Sequence, residues 1–268
     1  MDTSRLKQLA SELRHKTEME KSMKMARLRQ LHMLPKMPVV EGYEFKGIYL
    51  PCANVSGDFY DFIKVSEYEI GIAMGDVSGH GIEAGIIMGM AKKALQIYAR
   101  GLSSPKQALA LTNSDLGKDL DGETFVSAAY GVLDTHNHVF RFSRAGNNPP
   151  YLVNPARTPQ IKEIRPAGMV IGVDKIGKHF GVVTQEEVIQ LQPGDLFFQY
   201  TDGLVEAPNR EKAEFGADKV KELLLKNHHR SVSDLVDLLE ESVQSHIGSA
   251  EQEDDVTMIA FRLNGKPK

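Results

Sequence analysis

Cysteine occurs once in the 268 residues, at Cys52, so no internal disulfide can form. A lone cysteine is more often a small buried hydrophobe than a nucleophile, and that is the expectation for Cys52. A basic excess is also missing. The formal net charge is -4, whereas nucleic-acid binders carry a basic surplus or stripe, so no nucleic-acid partner is expected. No uninterrupted apolar run approaches the roughly 20 residues of a membrane-spanning helix, which removes the membrane as an expected partner. No leader-like segment precedes the first charged residues, and the expected location is cytoplasmic. Repeats and low-complexity tracts are absent too. What remains is an ordinary globular composition, with 41% hydrophobic and 25% charged residues.

Residues 3 to 34 contain neither glycine nor proline, and Leu6, Leu9, Ala10 and Leu13 follow helical spacing. The apolar stripe falters at Lys16, Thr17 and Glu20 and resumes, shifted, through Met19, Met23, Ala26, Leu28, Leu31 and Leu34. Two readings fit this helix: packing on its own domain, or a coil that dimerises or docks a partner. Pro35 and Pro38 end it, which divides the chain into an N-terminal amphipathic helix and linker, 1–37, and a domain, 38–268.

From Tyr43 the pattern changes to short β-rich runs, 43–50, 59–65 and 69–77, punctuated by Gly, Pro, Asn and Asp. The run 82–99 is apolar on nearly every side and predicts a helix buried between layers. A second helix should start at Ser104-Pro105, with Ser as cap and Pro in the first turn, and reach about Leu120. Strands are expected again at 124–133, 139–144, 151–153, 161–164, 188–191 and 196–200. Helices at 215–226 and 232–247 follow, the latter with Ser231 and Asp234 as a capping box, then a strand at 256–261. Strand runs interrupted by paired helices, without regular βαβ alternation, predict an α+β fold of antiparallel sheets covered by helices.

The chemistry-bearing residues are carboxylates at strand ends. Asp58, Asp76, Asp202 and Asp254 or Asp255 each stand where an apolar strand meets a Gly-containing or acidic turn. Singly, each is an ordinary turn former. Jointly, acids that converged would repel one another unless cations sat between them, and an oxygen-rich, cysteine-poor set suits Mg²⁺ or Mn²⁺ better than Zn²⁺. Spacing alone does not bring the strand ends together. Ser56, Ser78 and Ser127 lie in no Gly-x-Ser-x-Gly elbow and read as structural.

Five segments occur in order: Ser56-Gly57-Asp58-Phe59-Tyr60-Asp61, Gly75-Asp76-Val77-Ser78-Gly79-His80-Gly81, Ala145-Gly146-Asn147-Asn148-Pro149-Pro150, Thr201-Asp202-Gly203-Leu204-Val205-Glu206-Ala207 and Asp254-Asp255-Val256-Thr257. Together they resemble the metal-dependent serine/threonine phosphatases of the PPM, or protein phosphatase 2C-like, family, in the bacterial branch that includes SpoIIE and RsbU. The resemblance implies a four-layer αββα sandwich with two divalent cations, Mn²⁺ or Mg²⁺, at one edge of the sheets. By the same resemblance Asp76 bridges both metals, the Val77 carbonyl ligates one, Asp202 and Asp254 complete a site, and Asp58 acts through metal-bound water. Asp61 would be a neighbour, and Asp255 would stand behind the ligands. His80 would either protonate the leaving serine oxygen or only order its loop. Asn147 departs from the pattern, since the family commonly has His there.

The implied activity is hydrolysis of phosphoserine or phosphothreonine on a regulatory phosphoprotein, such as an anti-sigma-factor antagonist, in signal transduction. The N-terminal helix would supply a homodimer or regulatory-partner contact. The competing readings are a catalytically weak scaffold with the same fold, acting through that helix, and a two-metal nuclease, which the acidic balance disfavours.

Overall fold

A computed structural model describes residues 3–79, 81–175 and 177–264, without the side chains of Thr3, Ser4, Leu6, Lys7, Leu9 and Ala10. In chain order the elements are α1 (Thr3–His32), β1 (Tyr43–Leu50), β2 (Phe59–Lys64), β3 (Glu69–Val77), α2 (Ile82–Tyr98), α3 (Pro105–Leu116), β4 (Val126–Asp134), β5 (Val139–Ala145), β6 (Tyr151–Val153), β7 (Ile161–Glu163), α4 (Phe180–Val183), β8 (Glu187–Gln190), β9 (Leu196–Tyr200), α5 (Asp202–Val205), α6 (Ala217–Lys226), α7 (Val232–Ile247) and β10 (Val256–Leu263). The strands form two five-stranded sheets, β1-β10-β9-β6-β7 and β2-β3-β4-β5-β8, with antiparallel pairing throughout. Helices α2 and α3 cover the second sheet, and α7 lies on β1 and β10 of the first. The α+β sandwich of two antiparallel sheets flanked by helices is therefore realised.

The inner strands β9 and β10 are buried along their whole length because both faces of the sheet are covered there. On β9, Leu196 and Phe198 join the core beneath α6 and α7, while Phe197 turns to the layer between the sheets. On β3, Ala73 and Val77 face α2, and Ile72 and Met74 face the opposite sheet. The middle layer is aromatic at its heart: the Phe197 ring lies 4.8 Å from Phe140 and 5.0 Å from Phe261, centroid to centroid.

Local chemistry sets the helix starts. Ser104 Oγ accepts from Gln107 N at 3.3 Å with Pro105 in the first turn, and Ser231 Oγ accepts from Asp234 N at 3.1 Å. Helix α3 stops at Leu116, short of the expected Leu120, with the Gly117 N–H still bonded to the Asn113 carbonyl. Helix α2 corrects a larger expectation. It is an outer element: Ala84, Met88, Ala91 and Leu95 pack on the sheet, whereas Ile82, Ile86 and Ile97 are 52%, 60% and 54% exposed. All-round hydrophobicity predicted burial on both sides, yet nothing among the described residues covers the outer face.

Among the described residues, helix α1 meets the domain near its C-terminal end. Leu13, Met19, Met25, Leu28 and Leu31 are exposed, while Gln30, Met33 and Leu34 line a small gap with Tyr49, Asp58 and Met88. The Gln30 amide donates to Ser56 O at 2.9 Å and accepts from Ser56 N at 3.0 Å, clamping the loop that carries Asp58. Gly85 of α2 makes room, since a Cβ there would lie 2.2 Å from Val55 and 2.9 Å from the Gln30 amide.

Candidate metal centre at the sheet edge

Antiparallel pairing does what spacing could not. Tyr200 pairs with Met258, so the end of β9, followed by Asp202, lies beside the start of β10, preceded by Asp254 and Asp255. Phe59 pairs with Gly75, which brings the start of β2, after Asp58, to the end of β3, with Asp76. Both sheets open toward the same edge. The Asp202-Gly203 turn meets the β10 entry so closely that a Cβ on Gly203 would sit 2.1 Å from the Asp255 carbonyl and 3.3 Å from the Asp254 Cβ. A side chain at 203 would push the two strand ends apart.

Electrostatics report the convergence. Asp76 is pushed up to about 7 by burial and by Asp202, Asp254 and Asp255, partly offset by a hydrogen bond with Asp58. Asp254, though exposed, is raised to about 6 by desolvation and by Asp202, Asp255 and Glu206, against a hydrogen bond from the Asp255 N–H. Asp58 is fully buried and lies well above the usual carboxylate range, first through desolvation and then through Asp76. Its Oδ2 accepts from Thr201 Oγ1 at 2.8 Å and Thr257 Oγ1 at 2.6 Å, two hydroxyls of the opposite sheet. These acids disturb one another, and no lysine or arginine is among the leading causes of their shifts.

Asp255 is buried with both oxygens engaged, accepting from Cys52 N at 2.8 Å and Gly57 N at 3.2 Å. It thereby ties the β1–β2 connection to β10. Asp61 is a correction. It lies on the α2-facing side of β2, where its carboxylate accepts from Gln96 Nε2 at 2.6 Å and sits 3.3 Å from the buried Lys92 ammonium. It locks α2 to β2 and does not join the cluster. Cys52 is half-buried and not a core residue; its Sγ and the oxygens of Asp254 and Asp255 lie within 4.8 Å of one another. Burial and the two acids push its thiol up to about 12, which keeps it protonated and a weak ligand or nucleophile.

The glycines of the 75–81 segment divide their labour. Gly79 and Gly81 have φ of +88° and +83°, a backbone that other residues adopt at a cost. Gly75 is an ordinary strand residue whose missing Cβ admits the Phe59 ring. His80 lies outside the described residues. Ser78 Oγ accepts from Phe125 N at 3.0 Å and Ser56 Oγ from Asp58 N at 3.1 Å, the structural roles expected of them.

Strand alternation also reveals functional neighbours that the sequence reading missed. Thr201 and Thr257 occupy inward-facing positions two residues along from Gln199 and Ile259. Their signal was the period of two, once the middle layer's side was known. Asn147, picked out for departing from a family pattern, is buried between Ser127 and Gln199. Beside the cluster opens a cleft of about 340 Å³ lined by Gly79, Gly203, Ala207, Pro208, Gln252 and Asp254. A larger cleft of about 580 Å³, lined by Arg157, Lys162 and Glu187, holds none of the clustered acids. Of the two, the smaller is the one that Asp254 lines.

An all-carboxylate set of this kind suits hard divalent cations, whose charge would offset both the desolvation and the mutual repulsion that raise the pKa values of Asp58, Asp76 and Asp254. The fold is the two-sheet sandwich seen in protein phosphatase 2C domains. The SiaA-PP2C domain of Pseudomonas aeruginosa superposes with a TM-score of 0.79 at 20% identity, covering 93% of this chain and 99% of that one. The phosphatase domain of Bacillus subtilis SpoIIE with a regulatory fragment gives 0.67 at 23% identity, covering 82% of this chain and 63% of that one. Residues 66–264 match the family described as Stage II sporulation protein E (SpoIIE), and the chain belongs to that family. Similar curated proteins include phosphoserine phosphatase RsbU of Bacillus subtilis, 26% identical over 239 residues, with 88% of this chain and 68% of RsbU covered. Protein IcfG of Synechocystis sp. is 25% identical over 265 residues, but the chain spans only 40% of its length.

Proposed function

We propose that this chain is a Mn²⁺- or Mg²⁺-dependent protein serine/threonine phosphatase. The observation that carries the proposal is the meeting of Asp58, Asp76, Asp202 and Asp254 from both sheets at one edge, where burial and the neighbouring acids raise the pKa values of Asp58, Asp76 and Asp254, in a SpoIIE-family chain. Similarity to phosphoserine phosphatase RsbU supports the substrate chemistry, and a magnesium complex of the structurally similar RsbX supports the choice of cation. Among the described residues no helix is long and apolar enough to cross a membrane.

In this reading Asp76, Asp202, Asp254 and the Val77 carbonyl hold two cations. When bound, these lower the pKa of a water and offset charge on the phosphoryl oxygens. Asp58 is fixed by Thr201 and Thr257 through Oδ2. Its other oxygen orients water toward the phosphorus. Hydrolysis forms a P–O bond from water, which gives up a proton to solvent, and breaks the bond to the serine oxygen, which takes a proton from His80. The 340 Å³ cleft receives the phosphorylated segment of a regulatory protein, for which an anti-sigma-factor antagonist is the proposed class. Residues 38–268 form the phosphatase domain. Residues 1–37 form a regulatory extension whose exposed Leu and Met stripe contacts a second copy or a partner, and whose Gln30 reaches the loop before Asp58.

Phosphate release from a phosphopeptide and from p-nitrophenyl phosphate, with Mn²⁺ or EDTA, tests the reading. Turnover should require the metal and fall in Asp76→Asn and Asp202→Asn. Turnover in EDTA, or unchanged in both variants, would refute the metal centre. Sedimentation of the full chain against a form starting at Pro38 tests the extension, and identical monomers of identical activity would remove its role.

A further inference from the structure

The layer between the sheets changes character as it nears the candidate centre. Three positions along it are occupied by amides and a hydroxyl instead of aromatic rings. Gln199 Nε2 donates to Asn147 Oδ1 at 2.7 Å and to the Asn148 carbonyl at 2.8 Å. Asn147 Nδ2 in turn donates to Ser127 Oγ at 3.1 Å. Arg144 Nη1 holds the Asn147 carbonyl at 2.9 Å from the other side. Asn147 and Gln199 are 3% and 2% exposed, so neither owes its polarity to solvent.

One end of this chain stands opposite Asp76, and the other lies on the strand that leads into Asp202. Ser127 is the register partner of Asp76 on the neighbouring strand, and directly opposed residues project to the same face. Gln199 is on β9, three residues before Asp202. The chain therefore runs from the Asp76 strand of one sheet, through the Asn147 loop, to the Asp202 strand of the other. Deeper in the layer the sheets meet through Phe140, Phe197 and Phe261, which drive the sheets together by burying apolar surface and offer no hydrogen-bonding group to the edge. Hydrogen bonds with fixed donors and acceptors specify register. Gln199 Oε1 is buried without a partner among the described residues, an unfavourable arrangement that an apolar side chain would avoid. The amide is thus at a position where its donor side is the useful half.

We infer that Ser127, Asn147 and Gln199 form a polar strut that sets the spacing of Asp76 and Asp202, making Asn147 and Gln199 positioning residues for divalent-cation binding. The inference rests on the metal-centre reading above. It also accounts for Asn147 where the resemblance led us to expect His: an imidazole likewise offers one donor and one acceptor, so it can stand between the same two groups.

Calorimetric titration of the full-length protein with Mn²⁺ tests the strut independently of turnover. Gln199→Met keeps the volume and removes the donors; Asn147→Ala removes the middle link. Each should weaken Mn²⁺ binding roughly tenfold or more, as loss of groups supporting metal ligands does. The double variant should be no worse than the weaker single, because either change breaks the same chain. Asn147→His should stay within about threefold of wild type. Melting of the metal-free proteins provides the structural control. If Asn147→Ala does not fold, Gln199→Met and Asn147→His carry the test. Folded Gln199→Met with wild-type Mn²⁺ affinity would overturn the strut while leaving the metal centre standing. A wild-type protein that binds no Mn²⁺ would overturn both.

Discussion

The aromatic heart of the middle layer and its acidic edge share strands β9 and β10, and they do opposite things. Around Phe140, Phe197 and Phe261 the two sheets gain stability by excluding water. At the ends of β3 and β9 and the start of β10, those strands hold together acids that repel one another. The stable part of the layer supports the unstable part. A functional edge of this kind needs a rigid interior beside it, since only surrounding packing keeps like charges in place.

Substitutions at the two ends should therefore move stability in opposite directions. The largest effect is expected from Phe197→Ala, which empties a fully buried site and should lower unfolding free energy by about 3–5 kcal/mol in denaturant titration. A loss below about 1 kcal/mol would mean the aromatic cluster is not the brace we describe. Asp76→Asn removes a charge from the repelling set. Phosphate release should drop by roughly a hundredfold or more, while the metal-free protein melts no lower than wild type.

The pH response sharpens the contrast further. Asp76 and Asp254 titrate at about 7 and about 6 in the folded protein, above their ordinary value of 3.8, so the folded state binds more protons than the unfolded one between those limits. The stability these groups contribute is full below about pH 4 and is lost as pH rises through about 7. Metal-free melting temperature should fall across that window, and Mn²⁺ should reverse the fall. A flat profile would show that the carboxylates do not interact as placed. The smallest effect belongs to the outer face of α2. Ile86→Asp, at a 60% exposed position, should change monomer stability by less than about 0.5 kcal/mol. Any change in sedimentation would then mark that face as a contact surface.

Much of this was legible in the residues themselves. Gly, Pro and Asp punctuation located the strands, and Ser104-Pro105 and Ser231 announced their helices correctly. The strand-end acids were visible as a class. Their meeting was not, because antiparallel register is a long-range property: nothing local to Asp202 states that Tyr200 pairs with Met258. The same limit explains Asp61, which shares a motif with Asp58 but, three residues on, takes the opposite face of β2 and finds Lys92. Helix α2 misled for another reason. Apolar residues on every side signal burial only if the covering surface belongs to the same chain. The short helices α4 and α5, four residues each, offered no periodicity to read.

The Gln30 clamp has a mechanical side. Helix α1 has 30 residues and so is about 45 Å long, yet it is held to the domain near one end. It is a long arm on a short pivot. A tilt of about 10° would carry the free end through some ~8 Å, whereas the pivot end, gripping Ser56 two residues from Asp58, would travel by a fraction of an ångström. Leverage runs the other way for force: a modest pull far from the domain is multiplied where the arm grips the loop.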